Sequence, residues 1–258
     1  MVGEAELVRF LAGGGKLDAP ENASPRYRGE LLRLMAIFVD SEMAGAAGFA
    51  DCINLGPGLR ERRNAARIVH EKLGHAAKVL HLMERFGANS ARYERAHSWA
   101  YRLARETDLG TRRIEGDMRL NVFHYPIIGW VDAVVMNVLM GRATAVQLDE
   151  LTRCSYQPLA ACIQDILPEE IRHADMGEVG LREALARGAD ASEVQRLVDY
   201  WFPRVADTFG SLSSRSIEVF RKYGLRQRGN QELLEAWHSV VSGSLRTLGL
   251  HVPARTPE

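Results

Sequence analysis

Cysteine is scarce in this 258-residue chain. The three that occur, Cys52, Cys154 and Cys162, have no C-x-x-C spacing, so a disulfide framework and a thiolate metal cage are both excluded, and a reduced, cytoplasmic setting is expected. Net charge is lacking too: 33 basic residues meet 33 acidic ones. No overall field draws the chain to nucleic acid or to a membrane surface. Hairpin signals such as Asn-Gly or Asp-Gly are missing, and alternating patterns are short, which argues against a sheet protein. The N-terminal "MVGEAELVRFLAGGGK" has no apolar run of the kind a secretion signal needs. The longest apolar stretch, "YPIIGWVDAVVMNVLM", contains Asp132 and reads as too short to span a membrane.

What remains is helix. Ser24 as cap and Pro25 at the first position open a helix over about 25–50. Leu31, Leu34, Met35, Phe38, Val39 and Glu42 follow at three-and-four spacing. "NLGPG" at 54–58 breaks the chain. Further helices are expected over 59–86, 90–106, 127–153 and 155–187, with two or three more between 191 and 248. The fold class is all-α: one helical bundle over 25–253 with additional C-terminal helices, an N-terminal segment 1–24 and a short tail 254–258.

The chemistry starts from "HEKLGH", residues 70–75. Zinc proteases need H-E-x-x-H, with histidines four apart. Here they are five apart, about 140° around a helix, so His70 and His75 do not share an ion. His75 instead aligns with Lys72, Ile68 and Val79 on the apolar stripe. His70 and Glu71 point toward the polar neighbours Arg67 and Lys78 and read as bystanders. The 155–187 helix carries "PEEIRH", in which Glu170 and His173 form E-x-x-H on one face. Carboxylate-bridged di-iron bundles use two such pairs and one carboxylate from each of two further helices. Glu42, within an apolar face, and Asp132, costly to bury unpaired, are the candidates for those two.

Seven segments then identify the chain as similar to the catalytic subunits of phenylacetyl-coenzyme A epoxidases, a ferritin-like di-iron family. They are "YRGELLRLMAIFVDSEMAG", "LGHAAKVLHLMERFG", "FHYPIIGWVD", "TRCSYQPLA", "EEIRHADMG", "YWFPRVADTFG" and "LRTLGLHVP", in family order from Tyr27 to Pro253. The resemblance implies a four-helix bundle, iron that activates dioxygen, and a small-molecule substrate such as an acyl-coenzyme A thioester. It also implies two protein partners, an external reductase and a related helical subunit. Glu42, His75, Asp132, Glu170 and His173 are the implied metal ligands. Three departures stand out. The family's first E-x-x-H glutamate falls on Lys72. Pro168 either bends the ligand helix or marks a π-bulge. The sequence ends soon after "LGLHVP", where the family's catalytic chains continue.

Lys72 changes the metal count. Glu42, Asp132 and Glu170 supply three negative charges, and a protonated Lys72 leaves two, enough for one divalent ion rather than two. A protonated lysine cannot ligate. Asp132, Glu170 and His173 form a half-site suited to iron or manganese. Lys72 and Glu42 are the candidate catalytic pair. Two functions are therefore expected: a monooxygenase or epoxidase with a remodelled, single-iron site, favoured because five of six positions survive; or a metal-free structural subunit in which Lys72 replaces a metal by salt bridge. Iron storage has no support, since no nucleation surface is legible. The basic run "LRERRNAAR" (Arg60, Arg62, Arg63, Arg67) is either a coenzyme A phosphate contact or a solvated helix face.

Overall fold

The computed structural model describes residues 3–114, 116–212 and 215–254. Among them no strand forms beyond one isolated bridge, Leu17 with Tyr156. Four long helices make the bundle: α2 (Pro25–Cys52), α3 (Leu59–Glu84), α5 (Trp130–Leu151) and α6 (Gln157–Ala186). A short α1 (Glu4–Ala12) lies in the N-terminal segment, and α4 (Ser90–Glu94) follows α3. Beyond α6 come α7 (Ala191–Ala206), α8 (Arg215–Lys222) and α9 (Asn230–Thr247). This is the all-α bundle that the helical periodicity predicts, with the ferritin-like architecture and C-terminal additions that the resemblance implies. The tail beyond Ala254 lies outside the described residues.

Local chemistry sets the ends. The Ser24 hydroxyl accepts from the Tyr27 amide at 3.2 Å, and Pro25 fills a position whose N–H would be unpaired. α2 pairs with α3 and α5 with α6, while α3 against α6 joins the two pairs. α5 and α6 approach closely at Gly141, where a Cβ would lie 2.9 Å from that of Ala174. α7 and α9 cover the far side of α5. They bury Trp201 and Trp237, whose indole N–H groups find Asp132 and the Leu139 carbonyl. α5 is in fact long and apolar enough to cross a membrane by length and composition, but 67% of its most apolar window is buried inside the bundle. That burial makes it a core helix.

Two expectations need correction. The helix over 90–106 stops at Glu94. Beyond it, carbonyls of Ser98, Trp99 and Tyr101 bond the buried Arg119 guanidinium, which replaces the partners a helix would supply. Pro168 sits inside α6 without a π-bulge: the α-helix is continuous from Gln157 to Ala186.

Candidate active site

α2, α3 and α6 point their polar residues at one another in the middle of the bundle. Glu42, Lys72, His75, Glu170 and His173 are all buried, at 5% exposure or less. Lys72 is the hub. Its Nζ donates to Glu42 Oε1 at 2.9 Å and to Glu170 Oε1 and Oε2 at 2.9 and 3.0 Å. Gly45, one turn along α2 from Glu42, leaves room for the lysine stem: a Cβ there would sit 3.6 Å from Lys72 Cδ and 3.2 Å from Phe123. His75 Nδ1 lies 3.1 Å from Glu42 Oε2 and 3.0 Å from Glu170 Oε1. Its Nε2 lies 2.7 Å from Glu169 Oε2.

His173 is held differently. Its Nε2 meets Glu71 Oε2 at 2.6 Å, and Glu71 is clamped by Arg67 at 2.8 Å and Arg172 at 3.0 Å. His173 Nδ1 is buried without a hydrogen-bond partner. It stands 3.4 Å from Glu170 Oε1, too far for a well-formed bond. Glu71, expected to be a bystander, therefore orients a site histidine, while His70 is exposed as expected. Glu169 is the other participant the pattern missed.

Asp132 is not part of this cluster. It sits in the first turn of α5, where Arg105 grips both its oxygens at 2.7 and 3.2 Å. Trp201 Nε1 donates to it at 2.7 Å and the Ile128 amide at 2.8 Å. Its burial was legible, but a guanidinium, an indole and a helix terminus satisfy it. The structure thus places Asp132 apart from Glu42, Lys72, His75 and Glu170.

The electrostatics follow from geometry. Burial alone would lower the Lys72 ammonium, but Glu170 and Glu42 outweigh it and raise the pKa. Burial likewise opposes a charged His75, yet bonds to Glu170 and Glu42 push it up to about 10. Burial would raise Glu170; Lys72, then His173 and His75, hold it well below the carboxylate range. Stability linked to His75 is complete below its ordinary value of 6.5 and is lost as pH rises toward about 10. Stability linked to Glu170 is complete above its ordinary 4.5 and is lost on acidification. Thermal melts across pH should therefore peak between these two values and decline through pH 7–10, and His75→Gln should flatten the alkaline limb. A wild-type melting temperature that is level from pH 6.5 to 10 would contradict the charged-imidazole assignment.

One cavity reaches this cluster and a second adjoins it. An inner chamber of about 70 Å³ is lined by Ser41, Glu42, Phe123 and Met140. It shares Leu34, Ile37, Leu120, Gln147 and Leu151 with an outer cavity of about 470 Å³. The outer wall carries three arginines, Arg33, Arg113 and Arg226, and among its lining residues the acid Asp207. The run "LRERRNAAR" is placed elsewhere, and three of its four arginines have partners in the structure. Arg60 pairs with Glu61 and Glu183, Arg62 with the Gly56 carbonyl and Arg67 with Glu71.

Residues 15–257 match the family described as phenylacetic acid catabolic protein. The chain belongs to that family. Within it, the chain is 27% identical to one component of the 1,2-phenylacetyl-CoA epoxidase of Escherichia coli (strain K12), over 98% of this chain and 78% of the relative. It is 21% identical to benzoyl-CoA oxygenase component B of Aromatoleum evansii, over 92% of this chain and 54% of the relative. Both relatives are oxidoreductases by name. The residues present do not fit the two-iron centre that the resemblance implies. A buried lysine occupies the centre, Asp132 is held by other partners, and Lys72 and His75 bond the oxygens of Glu42 and Glu170. Glu42, His75 and Glu170 do offer donor atoms within 4.8 Å of one another, the spacing of a three-ligand set.

Proposed function

We propose that this family member works in an oxygenase system acting on a coenzyme A thioester of an organic acid, and that it holds the thioester itself. The observation that carries this reading is the pair of neighbouring cavities, which share five lining residues. The arginine-lined outer cavity suits a phosphorylated head group, since guanidinium groups pair with phosphate oxygens in a fork. The narrow, apolar inner chamber suits an acyl group and ends on Glu42. The names of the two relatives, both of which specify coenzyme A thioesters, support the substrate class. An oxygenase also needs electrons, so a separate reductase belongs to the proposal, as does a related helical subunit.

Calorimetric titration tests it. Phenylacetyl-coenzyme A should bind and free phenylacetate should not. Arg33→Ala removes an exposed guanidinium from the mouth without touching the core. A charged hydrogen bond is worth about 1.5–3 kcal/mol, so the variant should bind roughly 10- to 100-fold more weakly. Equal affinity for the thioester in Arg33→Ala, or none in the wild type, would overturn this reading. A second reading, a single-metal oxygenase centre within the chain, draws on the three donors within 4.8 Å and on His173 Nδ1, which makes no hydrogen bond. It is the competing outcome of the test that follows.

A further inference from the structure

We infer that Lys72 and His75 together stand in for one divalent cation, and that the bundle centre of this chain excludes metal. Four carboxylate oxygens face the centre, two from Glu42 and two from Glu170. Lys72 Nζ bonds three of them, Glu42 Oε1 and both of Glu170. His75 Nδ1 takes the fourth, Glu42 Oε2, and shares Glu170 Oε1. Each oxygen of the pair already faces Lys72 or His75, so an ion at the centre would have to displace one of these two groups.

The tautomer of His75 gives the second half of the argument. A neutral imidazole has one N–H and one bare nitrogen. Here both nitrogens face only carboxylate oxygens: Nδ1 faces Glu42 and Glu170, Nε2 faces Glu169. A bare nitrogen opposite a carboxylate would set lone pair against lone pair. Both nitrogens therefore carry hydrogen, and an imidazolium has no lone pair for a metal. One ammonium and one imidazolium balance Glu42 and Glu170, two positive charges against two negative. This is the charge of the divalent ion they displace.

The three-donor cradle nevertheless remains underneath. Remove the lysine charge and Glu42, His75 and Glu170 are already close enough to share an ion. The two readings share Glu42, but metal content and ring protonation are read without the thioester, so this inference survives a failure of thioester binding.

The test is metal content. Wild type, Lys72→Ala and the double variant Lys72→Ala/Glu42→Ala are produced in iron- and manganese-supplemented medium, desalted and analysed by mass spectrometry for metal. Cobalt(II) titration follows, read by visible absorption. Wild type should carry only trace metal and give no cobalt bands. Lys72→Ala should take up one divalent ion per chain, and the double variant none. Nitrogen NMR of wild-type His75 should show both ring nitrogens protonated at pH 7. Stoichiometric iron or manganese in the wild type would overturn the inference. So would a folded Lys72→Ala that gains no metal. If Lys72→Ala does not fold, Lys72→Met keeps the stem and takes its place, and the wild-type metal content and NMR still decide.

Discussion

Replacing Glu170 by alanine should destabilise the protein by about 3–5 kcal/mol, the range seen when one member of a buried ion pair is removed. For a chain of this size that is a fall in melting temperature of roughly 6–20 °C. Lys72 would keep only Glu42, and its ammonium cannot turn to water because the side chain is 6% exposed. His75 would lose one of the two acids beside its Nδ1. The cost is mainly that of the bases left behind rather than of the glutamate itself. A control follows from that. The combined variant Glu42→Leu/Lys72→Met/Glu170→Leu removes the two acids and the ammonium together and should be much closer to wild type than Glu170→Ala, because well-packed apolar groups can replace a buried ion pair at little loss. Differential scanning calorimetry of the two variants is the measurement. A Glu170→Ala protein that melts within about 2 °C of wild type would mean that the cluster is dispensable to the fold.

The sequence made the helices legible because their signals are local. Ser24, Pro25 and the Leu31–Val39 spacing mark α2 without reference to anything distant. The inward pair Lys72 and His75 and the one-face pair Glu170 and His173 are equally local, since helical periodicity alone sets them on one side. What stayed hidden depends on partners far along the chain. Glu71 sits beside Arg67 and looks solvated, yet its other oxygen reaches His173, 102 positions on. Glu169 looks like the outward neighbour of Glu170 until His75, 94 positions away, is brought against it. The arginines of the outer cavity come from α2, from the loop before α5 and from the turn before α9. No sequence window contains two of them. The "LRERRNAAR" run was conspicuous because it is contiguous, and Arg60, Arg62 and Arg67 within it are bonded to acids or a carbonyl.

Asp132→Ala should also cost about 3–5 kcal/mol and leave the metal content of every variant unchanged. Asp132 is 2% exposed and accepts from four donors. Removal leaves the Arg105 guanidinium, stacked 3.8 Å over the Tyr200 ring, with the Pro126 carbonyl at 3.1 Å but no carboxylate partner. It strands the Trp201 indole N–H in the core between α5 and α7. It also removes a carboxylate from the first turn of α5, where a negative charge is favoured by the helix dipole. Buried donors left without acceptors are a recognised route to large losses. Asp132→Asn keeps the shape and one carbonyl acceptor but loses the charge opposite Arg105, so it should fall between wild type and alanine. The graded order wild type, asparagine, alanine in urea midpoints would assign Asp132 to the α5–α7 seam. If Asp132→Ala instead abolished the ion gained by Lys72→Ala, the carboxylate would have to reach the bundle centre. The three grips of Arg105, Trp201 and the Ile128 amide would then have to break first.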